Sequence, residues 1–387
     1  MRLARLSFGR AALVAALLFI AGCAHRTPAP IAPPPPPAKP VVNTARLVGV
    51  VADQPQPLGE SNAARALAAF RSSCPVLVKR TDVSGLTQAG AWDALCAEAV
   101  TVSEGGAATF FRDRFEWARV GDGKAFATGY YEPEIAASRV RAPGYDTPIY
   151  GLPADLVRCT RADGTLARGR LDDAGACLPY FSRTEIDDGA LANRGLEMAW
   201  AADPVALFFV EIQGSGRLRL PDGSVMRIGY AGQNGLPYVA IGKLLRDRGA
   251  LPPGGANMVA IVDWIRMHSD EGKALMRENA SYVFFKELTG PGPLGALGVP
   301  VTPNTSVAAD PLFVPLGAPV FLSLDRAEAS GLWVAQDTGG AIKGANRVDT
   351  FWGADPEAAT IAGGMAANGS AWLLLPKGTV AGAQARP

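Results

Sequence analysis

The chain has 387 residues, 48% of them hydrophobic and 19% charged, which is enough to bury a large core and, by length, to form about two domains. Thirty-seven Lys and Arg balance 36 Asp and Glu for a formal net charge of +1, and this excludes a protein built chiefly to grip nucleic acid. The only histidines are His25 and His268, and there is no Cys-x-x-Cys pair, so no multi-histidine zinc site or zinc ribbon is expected, and no other metal or organic cofactor. The 44 Gly and 31 Pro exceed the usual ~12% share and point to a turn-rich fold of short strands.

The N-terminus reads as an address. Arg2, Arg5 and Arg10 precede a short apolar run over 11–20, too short for an ordinary membrane span and typical of an export signal. The run ends in Ile20-Ala-Gly-Cys23, which resembles a bacterial lipobox; the resemblance implies a signal peptide over 1–22 and lipidation of Cys23. With Ala at position 24 it implies sorting to the periplasmic face of the outer membrane. Between Pro28 and Pro40, eight of thirteen residues are proline, the composition of an extended tether, so 23–45 is assigned to the lipidated cysteine and its spacer. Four cysteines remain, Cys74, Cys96, Cys159 and Cys177, an even number that suits an oxidising compartment. Local spacing suggests the pairs Cys74–Cys96 and Cys159–Cys177, with three connectivities possible.

Along the body, 61–72 reads as a helix that Ser61 caps. Helical spacing continues over 91–119, through Trp92, Phe111, Phe115 and Trp117. A strand is expected over 126–131. Residues 144–230 hold short apolar runs between Gly, Pro and Asp turns, among them 205–213, 217–220 and 224–230, with Asp222-Gly223 as a hairpin turn. Helices follow over 239–248 and 259–268, then strands over 320–324, 332–336 and 371–375. The class is mainly β with a few helices.

The densest chemical signal is Gln336-Asp-Thr-Gly-Gly-Ala-Ile-Lys-Gly-Ala-Asn-Arg-Val-Asp349. Asp337 and Asp349 flank a turn rich in glycine, and paired carboxylates in unequal surroundings separate their pKa values into an acid and a base. Gly339 and Gly340 permit close approach of a ligand to the backbone. The spacing is not that of a phosphate loop, because Lys343 precedes Gly344 and no Ser or Thr follows it. An aspartic protease needs a second Asp-Thr-Gly or Asp-Ser-Gly, and none occurs.

Asp310, Asp337 and Asp349, in the frames Ser306-Val-Ala-Ala-Asp-Pro-Leu-Phe-Val-Pro-Leu-Gly317 and Asp337-Thr-Gly-Gly-Ala-Ile-Lys-Gly, resemble the three-aspartate domain, a double-psi β-barrel. Further stretches, Gly129-Tyr-Tyr-Glu-Pro133, Ser182-Arg-Thr-Glu-Ile186, Val210-Glu-Ile-Gln-Gly-Ser-Gly216, Gly229-Tyr-Ala-Gly-Gln-Asn-Gly-Leu-Pro-Tyr238, Ile241-Gly-Lys-Leu-Leu245 and Asn279-Ala-Ser-Tyr-Val-Phe-Phe285, resemble the membrane-bound lytic murein transglycosylase A family. The resemblance implies a barrel domain built from 46–134 and 246–387, an inserted β domain over 135–245, and a groove between them for a peptidoglycan glycan strand. It implies a murein lyase of the lytic exotransglycosylase type. Such an enzyme cleaves the β-1,4 bond between N-acetylmuramic acid and N-acetylglucosamine without water, leaving 1,6-anhydro ends. A single acid/base, here Asp349, suffices because the substrate's own C6 hydroxyl is the nucleophile, whereas ordinary glycosidases need two carboxylates. Asp337 is then the helper that orients Asp349 or raises its pKa. Enzymes of this class are expected to associate with wall-synthesis proteins.

Other substrate-binding candidates are Asp310, for which a turn-forming structural role is favoured over a groove acid, Lys343 for muramyl or peptide carboxylates, and Gln213 and Ser215 for sugar N-acetyl groups. Tyr131, Tyr230 and Tyr238, with Tyr130, are candidates for stacking on sugar rings, against a role in the core. His268 is expected to be structural. Two alternatives share the scaffold: a non-catalytic peptidoglycan-binding outer-membrane lipoprotein, which retention of both aspartates disfavours, and a hydrolase in which Asp337 activates water.

Overall fold

Residues 124–130 alternate side chains in and out, with Ala125 and Ala127 buried and Lys124 and Phe126 exposed, the period of a strand with one covered face. In the computed structural model, which describes residues 44–252 and 257–384, this strand closes a barrel. Going round, Ala366–Pro376 is followed by Pro319–Leu324, Gly331–Asp337, Ser306–Ala309, Arg347–Phe351 and Lys124–Tyr130, which pairs back with Ala366–Pro376. Two neighbouring pairs are parallel, Ser306–Ala309 with Gly331–Asp337 and Arg347–Phe351 with Lys124–Tyr130; the other pairs are antiparallel. This is the double-psi arrangement. Closure removes the sheet edges that a strand-rich body must otherwise protect. Phe115–Val120 and Val50–Ala52 extend the sheet outward from Ala366–Pro376. Val307, Ala309, Leu332, Val334, Val348, Leu373 and Leu374 belong to one buried core that covers both faces of the barrel wall.

The helix Glu60–Leu77 packs outside the barrel. Asn62 fixes its start, donating to Leu332 O at 3.1 Å and accepting from Leu332 N at 2.6 Å. Phe70 of this helix lies among Phe110, Phe111 and Phe115, with ring centroids 5.6–6.4 Å from its own. The Cys74–Cys96 disulfide, with Cα atoms 5.5 Å apart, ties the helix to Asp93–Thr101. Closing a loop of this length contributes about 3 kcal/mol. The single helix expected over 91–119 is a correction. Asp93–Thr101 ends before the Glu104-Gly-Gly106 turn, Ala107–Arg114 follows, and Phe115 and Trp117 already belong to a strand. Paired glycines interrupt the helix, and both aromatics are buried in either conformation, so apolar spacing did not separate the two.

A second sheet orders Val283–Glu287, Val225–Gln233, Ser215–Arg219, Glu134–Ser138, Glu197–Ala201 and Thr147–Tyr150. The hairpin through Asp222 and Gly223 joins two of these strands, Gly223 taking φ +84°. Val283–Glu287 lies past residue 245, where the sequence reading closed the second domain, yet it pairs with Val225–Gln233. The run over 205–213, grouped with strand-like segments, is instead the helix Pro204–Gln213. Asp203 caps it, Pro204 starts it and Gly214 ends it in the left-handed region. A small sheet of Val157–Thr160, Leu166–Leu171 and Cys177–Leu178 carries the Cys159–Cys177 disulfide, with Cα atoms 5.6 Å apart. The signal peptide, Cys23 and the tether through residue 43 lie outside the described residues, but the tether's assigned end at 45 is a correction: Ala45 is fully buried, begins the helix Ala45–Val48 and donates to Leu312 O at 2.9 Å.

Candidate active site

Ser306–Ala309 is the central strand of the site. Ala308 is the register partner of Asp337 on its parallel side and of Asp349 on its antiparallel side. Residues directly opposite one another share a face, so both aspartates emerge on the same side of the barrel wall. This depends on a bulge: the register shifts after Val307 pairs with Ala335, so that Gln336 is skipped and Asp337 meets Ala308. Gln336 is fully buried and holds the bulge. Its amide nitrogen donates to Ala69 O at 3.0 Å, Ser72 Oγ at 3.1 Å and Ser73 Oγ at 3.0 Å, and its oxygen accepts from Ser306 Oγ.

The two carboxyls have unequal surroundings. Asp337 Oδ1 accepts from Ala296 N and Thr338 N, each at 2.8 Å, and Oδ2 accepts from Tyr130 Oη at 3.1 Å. Burial pushes the Asp337 carboxyl up to about 6 against the pull of these donors. Asp349 Oδ1 accepts from Thr128 Oγ1 at 2.5 Å. That hydroxyl accepts in turn from Arg347 Nη2 at 2.9 Å, and since a guanidinium only donates, the hydroxyl proton is left for Asp349. Burial raises Asp349 to about 6, opposed by Thr128 and Arg347 and reinforced by the charge of Asp337. Phe126, Thr128 and Tyr130 alternate along one strand and so serve one face: Arg347 lies over the Phe126 ring at 5.2 Å, Thr128 meets Asp349 and Tyr130 meets Asp337. Beneath them Tyr130, Val301, Ala308, Ile342 and Phe351 form a small apolar cluster that keeps water from the back of the site.

The turn between the acids is tied down at three points. Asp310, 3% exposed, accepts from Gly344 N at 2.9 Å and Leu312 N at 3.1 Å, so both its carboxylate oxygens hold backbone. Asn346, at φ +55°, donates to Val120 O at 2.9 Å. Ile342 is buried, and a Cβ on Gly339 would come within 3.0 Å of its side chain. Lys343 and Gly340 are exposed on the turn.

The second sheet meets this turn through Tyr238. A Cβ added to Gly340 would sit 3.7 Å from Tyr238 Cβ, and the Asp349 charge raises the Tyr238 phenol together with burial, which is the larger cause. The loop carrying Tyr238 is held from below: Val239 N donates to Asn279 Oδ1 at 3.0 Å, and Asn234, fully buried, donates to Phe181 O and Ala280 O. Arg183 completes the support, donating to Asn279 O at 3.0 Å, Ser281 O at 2.8 Å and Glu211 Oε2 at 2.5 Å. Two motifs of the sequence, around Arg183 and Glu211, thus meet in one buried ion pair, in which burial draws the Glu211 carboxyl up to about 7. Gln213 spans the sheets differently, its Oε1 accepting from Tyr131 N at 3.1 Å.

Of the expected site residues, the structure brings Asp337, Asp349, Gly339, Gly340, Lys343 and Asp310 onto one turn and sets Tyr238 against it. Tyr131 Oη turns to Met258 Sδ at 3.8 Å, Tyr230 Oη accepts from Arg168 Nη1 at 2.8 Å, and Ser215 is buried at a strand start opposite Gly229. Sequence reasoning missed Thr128, Arg347 and the Ala296 amide, and gave Tyr130 to sugar stacking or the core rather than to Asp337. Period-two spacing of Phe126, Thr128 and Tyr130 was the available signal; nothing in the sequence marked Ala296. Thr338 Oγ1 is buried beside Asp337 without a hydrogen-bond partner.

Residues 126–286 match the family model described as the MltA specific insert domain, and residues 305–375 match the 3D domain. Curated relatives include the membrane-bound lytic murein transglycosylase A of Vibrio cholerae, 32% identical over 264 residues, covering 65% of this chain and 66% of the relative. That of Escherichia coli K12 is 35% identical over 258 residues, covering 64% of each. The chain therefore spans just under two thirds of the length of the curated relatives it matches. Among solved structures, a membrane-bound lytic murein transglycosylase from Agrobacterium tumefaciens is 31% identical with TM-score 0.77, over 87% of this chain and 100% of that one. MltA from Neisseria gonorrhoeae is 36% identical with TM-score 0.67, over 82% and 89%. Escherichia coli MltA with bound chitohexaose is 28% identical with TM-score 0.63, over 85% and 94%. On its matched domains and on this agreement in sequence and structure, the chain belongs to the membrane-bound lytic murein transglycosylase A family.

Proposed function

We propose that this protein is a lytic transglycosylase that cleaves the β-1,4 bond between N-acetylmuramic acid and N-acetylglucosamine in peptidoglycan, with Asp349 as its single acid and base. The observation that carries the reading is the asymmetry of the two carboxyls. Asp337 accepts three hydrogen bonds and Asp349 one, so Asp337 is the better stabilised anion and Asp349 the group that takes a proton shared by the pair. Thr128 occupies Oδ1 of Asp349, which leaves Oδ2 to carry that proton. The proton passes to the glycosidic oxygen as the bond to C1 breaks. The resulting carboxylate takes the proton from the C6 hydroxyl of the same muramyl residue, whose oxygen closes on C1 to form the 1,6-anhydro ring. Proton and bond count balance without water, and proximity favours the intramolecular attack. Asp337, fixed by Tyr130 and two backbone amides, supplies the negative charge that keeps Asp349 protonated and that stabilises positive charge developing at C1.

The glycan lies between the barrel and the inserted β domain, beside the point where Tyr238 contacts the turn at Gly340. The bound chitohexaose of the Escherichia coli neighbour supports a saccharide in this fold. The barrel half is read as 46–134 and 246–387, less 258–287, whose helices pack on Phe208 and Phe209 and whose strand Val283–Glu287 joins the second sheet. Lipidation of Cys23 anchors the protein to the periplasmic face of the outer membrane, which the membrane-bound designation of its relatives supports, and wall-synthesis proteins are its expected associates. Asp349→Asn tests the assignment: muropeptide release from sacculi is lost while sedimentation with sacculi persists. Release near the wild-type rate removes Asp349 from the role.

A further inference from the structure

The small sheet beside Tyr230 carries a cluster of arginines without carboxylate partners, unlike the neighbouring six-stranded sheet. On the six-stranded sheet Arg217 and Arg219 rest on Glu134, Arg139 on Glu287 and Arg227 on Glu132. On the small sheet Arg158 is the direct register partner of Arg168, so two like charges share one face, and Arg170 lies two residues further along the same face. Like charges directly opposite destabilise a strand pair. Among the described residues none of the three has a carboxylate within ion-pair distance. Arg168 donates to Tyr230 Oη at 2.8 Å and Gln233 O at 3.4 Å. Arg170 lies over the Phe181 ring at 4.8 Å, and its Nε is buried with no hydrogen-bond partner. The acids nearby are engaged: Glu185 holds Ser182 N and Oγ, both at 2.7 Å, and Asp172 holds Ala174 N and Ala176 N. Glu185 still feels the Arg170 charge.

This face adjoins the site. A Cβ on Gly235 would lie 2.7 Å from Arg168 Cβ, so the small sheet packs on the turn that leads to Tyr238. Three residues of chain, at most about 11 Å, separate Gly235 from Tyr238.

We infer that Arg158, Arg168 and Arg170 form a carboxylate-binding face that takes the stem peptide of the glycan while its sugars sit at Asp337 and Asp349. The inference rests on the peptidoglycan-cleaving reading above. Stem peptides carry free carboxylates and hang from the muramyl residue, and the guanidinium fork matches a carboxylate through two parallel hydrogen bonds. A ligand carboxylate between Arg158 and Arg168 removes their repulsion, and the charge of Arg170 extends the attraction along the same face. The site therefore sets preference among peptides without entering the chemistry.

Steady-state cleavage by wild type, Arg158→Glu and Arg170→Gln is compared on peptide-bearing strands and on strands stripped of peptide by an amidase. The expected result is a KM raised about tenfold or more on peptide-bearing strands with kcat held. On bare strands kinetics stay at the wild-type level, and melting temperatures are unchanged. Equal losses on both substrates, or no loss on either, overturn the inference. If wild type cleaves neither substrate, the catalytic reading fails on its own, and co-sedimentation decides the face: tighter wild-type binding to intact than to amidase-treated sacculi, abolished by Arg158→Glu, sustains it, and equal binding ends it.

Discussion

Asp337 and Asp349 stand one strand apart on the barrel wall, each the register partner of Ala308. Two strand spacings separate their backbones by about 10 Å, and only the methyl group of Ala308 lies between them on that face. The pair is therefore set by strand register rather than by the turn that joins the two acids in sequence. Thr128 and Tyr130, two residues apart on the neighbouring strand, extend the same geometry by giving each acid its own donor.

Thr128→Val keeps the shape of residue 128 and removes the hydroxyl between Arg347 and Asp349. Asp349 loses the donor that favours its anion, so its pKa rises. The alkaline limb of the kcat/KM profile, where the acid loses its proton, moves to higher pH. Loss of orientation lowers kcat by roughly tenfold. A pH-rate series on solubilised glycan strands reads both effects.

Tyr130→Phe acts on the other acid. Asp337 keeps its two backbone donors and loses the phenol, so its pKa rises and the acidic limb of the profile moves up, while the alkaline limb, which Asp349 sets, stays in place. Displacement of the alkaline limb in the Thr128 variant and of the acidic limb in the Tyr130 variant separates the roles; displacement of the same limb in both contradicts the assignment.

The site costs stability. Asp349 titrates at about 6 when folded against an ordinary 3.8, so the native state binds more protons than the unfolded chain between those values. Its contribution is most favourable below about pH 4, declines as pH rises towards about 6, and is flat above. Asp349→Asn does not titrate and therefore gains about 3 kcal/mol on wild type between about pH 4 and pH 8. Urea unfolding at the two pH values measures the difference, and an equal effect at both contradicts it.

Gln336→Leu removes the polar group that pins the bulge. Three donor contacts and the Ser306 partner are lost in a buried setting, at a cost of about 2–4 kcal/mol, and the register that presents Asp337 loosens. Thermal melting and turnover fall together in this variant, whereas Thr128→Val lowers turnover alone.

Three strands of the barrel's second half, over 320–324, 332–336 and 371–375, were legible because their apolar runs are short, whereas Ser306–Ala309 and Arg347–Phe351 were not singled out. The bulge was not, since a Gln followed by an Asp carries no mark of which residue a ladder will skip. The helix Pro204–Gln213 was obscured because Val205 to Val210 is apolar on every side, as a helix between two packed layers must be, although Asp203-Pro204 and Gly214 are a cap and a stop. Asp310 was read as more a turn-forming residue than a groove acid, and its burial with both oxygens on amides describes a tie for the glycine turn. The acids themselves were found through their motif, but their donors come from a strand more than two hundred residues earlier, a pairing that only the fold creates.

The most direct test of the central claim is the chemistry of the product. A soluble form beginning after the proline-rich tether is incubated with purified sacculi in heavy-oxygen water, and the released muropeptides are weighed by mass spectrometry. The account expects fragments lighter by one water than their hydrolytic counterparts, with 1,6-anhydro ends and no heavy oxygen. Reducing ends that carry heavy oxygen would contradict it and make Asp337 the base for a water molecule.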